Sequence, residues 1–126
     1  MDPDKAMASL SEEIRRYAES TEARVAARIE RAGDEVIEKI RATAPRSGGG
    51  GVHLADSFVK DSSGDGSKRT VTVYSKEKGR LVHLVEFGFV HRSGKLVAAR
   101  PFMRPAYEEA APRMLEEIRS IIKEGG

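Results

Sequence analysis

Cysteine is absent from the sequence. That removes disulfides, thiolate metal sites and cysteine nucleophiles together, and it fits a reducing cytoplasm. Histidine is scarce: His53, His83 and His91 are the three in the chain, and their spacing matches no metal-ligand pattern. Zinc therefore loses its usual ligands, and no metal or other cofactor is expected. No apolar run approaches the roughly 20 residues of a membrane span, and no basic segment followed by an apolar one opens the chain as a secretory leader would. The expectation is a soluble protein, neither secreted nor membrane-bound. Paired carboxylates in apolar surroundings are lacking too. Glu86 alone has such a setting, so neither a two-acid site nor a triad can be assembled, and a catalytic Glu86 is a weaker reading than a carboxylate that fixes how two segments meet. Its four consecutive glycines, Gly48 to Gly51, run into Val52-His53-Leu54. A phosphate cradle needs Lys-Ser or Lys-Thr entering a helix at that point, so residues 46–51 are read as a flexible loop.

Charge, by contrast, is plentiful. Of the 126 residues, 33% are charged and 39% hydrophobic, which suits one domain, residues 1–126, with one core. The charge is unevenly spread. Residues 1–45 carry ten acids and eight bases, a net −2, while residues 46–126 carry ten acids and fourteen bases, a net +4. Phe89 to Tyr107 contains Arg92, Lys95, Arg100 and Arg104 and not one acid. Three readings of this basic connector stand side by side: a solvated loop, an arm docking on an acidic partner, or a contact with DNA phosphates. No aromatic is interleaved so as to stack bases and no recognition-helix motif appears, which argues against sequence-specific DNA reading.

The first 45 residues predict one long helix. Met7, Leu10, Ile14, Tyr17, Thr21, Val25, Ile29, Ala32, Val36 and Ile40 recur at steps of three and four. The step averages about 11 residues per three turns, which keeps the stripe on one face of a nearly straight helix. Ser9 and Glu12 form a Ser-x-x-Glu capping box, although Asp2-Pro3 would start the helix a turn or two earlier; Ala44-Pro45 ends it. Glu12 with Arg16 and Glu35 with Lys39 are i, i+4 pairs, each worth about 0.2–0.5 kcal/mol. Roughly 34 residues at about 1.5 Å each make a rod of about 50 Å, against a radius of gyration of about 14 Å for a compact chain of this length. One domain cannot cover such a rod. It must bend, with Gly33 the place for it, or lie against another subunit through Leu10, Ile14 and Tyr17 at its far end.

Two strands follow the loop, Val52 to Lys60 and Arg69 to Ser75. The second alternates with period two and is rich in β-branched residues, and the polar cluster Asp61 to Ser67 turns the chain between them into an antiparallel pair. A further strand is expected from Phe89 to Val97, with Arg92-Ser93-Gly94-Lys95 as a turn inside it. The last helix runs from about Met103 to Lys123, with Phe102, Ala106, Ala110, Met114, Ile118 and Ile121 on its apolar side. Glu109 pairs with Arg113, Gly125-Gly126 supplies the stop, and Pro112 predicts a kink near Glu108 to Ala111. The fold class is α+β: a long N-terminal helix (1–45), then the loop, then a small antiparallel sheet, short central helix and basic connector (52–101), and a C-terminal helix (102–124) packed on the sheet.

Local geometry is most tightly specified between Leu81 and Tyr107. Leu81, Leu84 and Val85 share a helical face, and Gly88 sits where a left-handed residue would end a brief helix. A buried strand fits the same apolar run. His83 lies on the apolar face and reads as a core residue. Pro101 and Pro105 both lack an N–H, which a helix tolerates only in its first turn, so a helix starts between them. Glu86, set between Val85 and Phe87, is costly to bury alone. Its expected partners are Arg104 or the free N–H groups that open the last helix near Phe102 and Met103.

These residues also carry a resemblance. Glu86-Phe87-Gly88, followed a dozen residues later by Arg100-Pro101-Phe102-Met103-Arg104-Pro105-Ala106, resembles the EFG and PFLRPA signature of the tail-component family of long-tailed bacteriophages. Upstream, Ala44-Pro45, a glycine turn and Leu54-Ala55-Asp56-Ser57-Phe58 are similar to that family's AP, TG, L and S element, so the resemblance spans roughly residues 10–123. Two features depart from it: the loop 46–51 is longer than the family's Thr-Gly, and Phe89 stands where the family has a small threonine. Family members are neck or tail-completion proteins. The resemblance therefore implies a non-enzymatic virion part at the head–tail junction, assembled in the host cytoplasm. It would be a homo-oligomeric ring, with connector or head-closure proteins on one side, tail-terminator or tail-tube proteins on the other, and non-specific contact with DNA in the channel. A tail-tube terminator ring, a small basic nucleic-acid-binding protein and a toxin-like RNA-binding enzyme are the competing readings.

Overall fold

The three-and-four periodicity of the N-terminal residues becomes one unbroken helix. In the computed structural model, which describes residues 3–45 and 53–124, helix α1 spans Pro3–Thr43. Its 41 residues make a rod of about 60 Å. Pro3, with φ preset for a first helical turn, wins over the capping box, and Ser9 lies inside the helix. The helix also runs through Gly33 without interruption. A Cβ there would come within 2.6 Å of Val71 Cγ1, so the glycine serves close packing of the sheet against the helix.

After α1 come strands β1 (Phe58–Ser63) and β2 (Thr70–Ser75), helix α2 (Gly79–Phe87), the two-residue strands β3 (Phe89–Val90) and β4 (Leu96–Val97), and helix α3 (Met103–Glu124). This is the α+β class and element order expected, but α3 packs along α1 instead of on the sheet, because the long helix offers its flank to both. The glycine loop 46–51, Val52 and the Gly125-Gly126 stop lie outside the described residues.

β1 and β2 pair antiparallel, from Phe58 opposite Ser75 to Ser63 opposite Thr70. The first strand starts later than predicted and ends later. Leu54–Asp56 forms a tight helical turn, closed by the Ser57 hydroxyl donating to the Leu54 carbonyl at 2.7 Å, and this tucks Leu54 and Ala55 into the core. Asp61 to Ser63, read as turn, continue the strand; the reversal is made by Gly64 and Gly66 instead, both at positive φ.

The core gathers Ile37, Ile40 and Ala44 from α1, Leu54, Ala55 and Phe58 from the chain leading into the sheet, and Phe102 and Ala106 from α3. Phe58 and Phe102 meet edge to face, with ring centroids 5.9 Å apart. α2 is helical, which disposes of the strand alternative, but its buried face is turned by one residue from the predicted one. Val82, Val85 and Glu86 point inward while Leu81 is exposed. His83 is exposed as well, resting on the Phe87 ring at 4.9 Å, and is no core residue.

The predicted strand 89–97 is a small hairpin: Phe89 lies opposite Val97, Val90 opposite Leu96, and the His91 and Lys95 backbones bond across the turn. α3 starts between Pro101 and Pro105 and continues past Pro112 to Glu124, burying Ala106, Ala110 and Ile121. Ion pairs stitch it to α1. Arg28 lies 2.9 Å from Glu117, Lys39 lies 3.1 Å from Glu109, and Arg24 lies 3.3 Å from Glu124, while within α1 Arg28 also lies 3.1 Å from Glu35. Lys39 is thus drawn away from Glu35, its predicted partner, by a carboxylate on another helix. The predicted Glu109–Arg113 pair forms at 2.9 Å and the Glu12–Arg16 pair at 3.6 Å.

Candidate functional site

Glu86 is the hinge between the two halves of the 81–107 stretch. Only 8% of it is exposed, and its carboxylate faces the start of α3. Oε1 accepts the N–H groups of Phe102 and Met103, each at 3.0 Å, and Oε2 accepts that of Arg104 at 3.1 Å. A helix opens with N–H groups that no carbonyl within it serves. Here Pro105 has no N–H to satisfy, and Ala106 donates to the Phe102 carbonyl at 3.4 Å, so the first turn is fully accounted for. Burial pushes the Glu86 carboxyl up, but the three N–H bonds and the Arg104 charge outweigh it and hold the group below the ordinary 4.5. Glu86 is a fixed anion that joins α2 to α3. The Arg104 side chain is exposed and turns to Glu108 at 3.6 Å.

Gly88 belongs to the same knot. Its N–H donates to the Leu84 carbonyl at 2.8 Å, its φ is +76°, and a Cβ would lie 2.7 Å from the Val97 carbonyl oxygen. Glycine alone fits both demands. The Arg100 N–H closes the far side by donating to the Val85 carbonyl at 2.8 Å.

From this knot the β3–β4 hairpin projects as an arm. Arg92, Lys95 and Arg100 are exposed, and among the described residues none of the three forms an ion pair. Phe87, Val90 and Leu96 are exposed beside them. Pro101 and Pro105 are exposed, while Phe102 between them is core.

A second uncovered surface lies on α1. Met7 is 63% exposed, Leu10 50%, Ile14 60% and Tyr17 58%. Glu22, which accepts the Ser67 N–H, and Arg24, paired with Glu124, mark the edge of the body. The helix beyond them carries its apolar stripe into the open.

Residues 8–88 match the HK97-gp10-like family, described as a putative tail-component of bacteriophage. The chain belongs to that family. It is a bacteriophage tail component, one that works among other phage structural proteins. The matched stretch takes in most of α1, the β1–β2 pair and α2, and ends at Gly88, so Arg100 to Ala106 lie beyond it. Those residues are tied to the family region by the carboxylate of Glu86, by the Arg100 N–H on the Val85 carbonyl and by Phe102 against Phe58. No curated protein and no solved structure matches the chain.

An apolar groove of about 720 Å³ opens on this tail component between α1, β2, α2 and α3, floored by Ala32, Gly33, Val71 and Val73 and walled by Val82 and Met114. No metal-binding cluster of histidine and carboxylates occurs among the described residues.

Two features escaped the sequence reading. Glu30 takes Lys60 at 2.8 Å and Arg69 at 2.6 Å, and Lys60 also reaches Asp34 at 2.9 Å, which clamps the hairpin onto α1. The bond from Lys60, then those from Ser62 and Arg69, bring the Glu30 pKa down to about 2. Arg28 is 4% exposed, and its guanidinium touches Glu35 and Glu117 as charges without an aligned hydrogen bond. Its spacing from Val25 and Ala32, three and four residues, was the available signal.

Proposed function

We propose that this tail component is a non-enzymatic ring subunit of the head–tail junction, a neck or tail-completion protein. It would stand between connector or head-closure proteins and the terminator or tube proteins of the tail. The observation that carries this reading is the exposed stripe from Met7 to Tyr17, four large apolar side chains held on a rigid helix outside the body. Soluble monomers rarely present such a row, and an assembly subunit needs one. Family membership supplies the setting, and the stripe supplies a surface for association.

The arm supports the second half of the reading. In a symmetric ring each arm is repeated around the axis, so Arg92, Lys95 and Arg100 add up to a positive collar facing an acidic neighbour or the DNA in the channel. The exposed Val90 and Leu96 favour the protein neighbour, because phosphate contacts draw on charge alone.

The test is Arg92→Glu with Lys95→Glu. Exposed charges contribute little to folding, so the melting temperature should stay within a degree or two. In a complementation assay, filled heads and finished tails should accumulate unjoined. Full infectivity would reduce the arm to a solvated loop. Native mass spectrometry of the wild-type chain should give one closed oligomer, and a strict monomer at every concentration, alone or with neighbouring structural proteins, would overturn the ring.

A further inference from the structure

We infer that the exposed stripe of α1 seats in the apolar groove of a second copy of this chain, a head-to-tail contact that repeats from subunit to subunit. This deepens the ring reading above and rests on it.

Stripe and groove are both open in the same molecule. The stripe shows Met7, Leu10, Ile14 and Tyr17, each at least half exposed. The groove, about 720 Å³, has an apolar floor of small and β-branched side chains and a methionine wall at Met103 and Met114. Unbranched, polarisable methionine adapts to whatever ridge is laid against it. The stripe has the form such a groove accepts, with anchors at i, i+3, i+7 and i+10. From Met7 to Tyr17 it runs about 15 Å.

The stripe cannot fill the groove of its own chain. Ile29, Ala32 and Val36 line it from α1, the same helix that carries the stripe. Tyr17 lies about 18 Å along the axis from Ile29, with no break between them. A continuous helix does not fold back on itself, so a stripe seated in the groove comes from another copy.

Charge agrees with the pairing. Residues 1–22 hold six acids and three bases, a net −3, whereas residues 79–107, which run from α2 through the arm to the start of α3, hold five bases and one acid, a net +4, and of those bases Arg104 lines the groove itself. That one acid is Glu86, buried against α3. An acidic helix thus approaches a segment of net positive charge, which orients the encounter and disfavours two stripes pairing with each other. The two surfaces in contact are different patches, so two copies either exchange stripes reciprocally as a dimer or pass them on head to tail, and the ring reading takes the second. The head-to-tail contact propagates, and it makes a ring where the rotation per subunit closes.

The absence of cysteine gives a clean background for cross-linking. Ile14→Cys and Ala111→Cys place one thiol on the stripe and one in the groove. Treated with a short bismaleimide, the double variant should give a ladder of covalent oligomers, a mixture of the two single variants should give one heterodimer, and neither single variant should link to itself. A homodimer from Ile14→Cys alone, or a double variant linked only within one chain, overturns the inference. Ile14→Asp with Tyr17→Asp should turn the oligomer wholly into folded monomer. If that variant still forms the ring, the contact lies elsewhere and the ring reading survives without it; if the wild type is itself a monomer in all mixtures, both fall.

Discussion

From Val25 to Ile40 the apolar side of α1 is covered by the sheet and by α3, whereas from Met7 to Tyr17 the same side, at the same spacing, is open. The residues are of similar kind in both halves. What differs is the length of the neighbours. α3 has 22 residues against the 41 of α1, and its last turn ends level with Arg24, where Glu124 meets it. Periodicity says which side of a helix is apolar; the reach of the packed partner decides how much of that side is buried within the chain. The covered half also has charged ties along its flank, with Arg28, Arg31 and Lys39 all held by carboxylates. Among the described residues the open half has its own Glu12 with Arg15 and Arg16.

The largest loss is expected at the covered end. Phe102→Ala should cost about 3–5 kcal/mol in chemical denaturation, because the ring packs against Phe58 in the centre of the core. A cost below about 1 kcal/mol would mean that the core does not close around this residue.

Next comes Glu86→Gln, which sets an NH2 group against backbone donors that now meet oxygen. We expect about 1–3 kcal/mol of destabilisation at neutral pH. The pH dependence follows from the depressed pKa of Glu86: its stabilising contribution is complete above the ordinary value of 4.5 and is lost as pH falls through the lower folded value. The gap between wild type and the variant should therefore narrow on acidification. Equal melting of the two at neutral pH would show that α3 opens without needing the carboxylate.

Gly33→Ala sharpens the comparison within the covered half. The added methyl would meet Val71, an overpacking cost of about 1–3 kcal/mol, set against a helix-propensity gain of about 1 kcal/mol. A net loss is expected, and Val71→Ala should relieve it by making room. Simple additivity of the two changes would show that they do not meet. The smallest effect belongs to the open half: Ile14→Asp with Tyr17→Asp should leave the stability of the isolated chain within about 0.5 kcal/mol for each change. A loss of several times that would mean the stripe is covered inside its own chain.

Much of this was legible in the sequence, and the gaps have physical causes. The long helix, the short helix ended by Gly88, the hairpin of the arm and a helix opening between two prolines all follow from local rules of period, φ and missing donors. So does the anchoring of Glu86, because an unpaired buried carboxylate is expensive and the nearest unserved donors were close by in sequence. The errors came where a distant partner decided. α2 is turned by one residue because Glu86 is drawn to α3. Lys39 left Glu35 for Glu109. Ser9 yielded to Pro3, and Ser57 made a turn of residues that read as strand. The Glu30 clamp joins residues 30 and 39 positions apart to one carboxylate, a pairing with no local signature.

The three bonds to Glu86 also fix both ends of the arm. Whatever lies between Gly88 and Pro101 starts and finishes at set points, so its length and content are free of the body that holds it. Lengthening such a loop is cheap, about 0.6 kcal/mol for each doubling. Over evolutionary time the arm is thus an exchangeable part: residues 90–96 can be rewritten while the helices and sheet that carry them stay as they are.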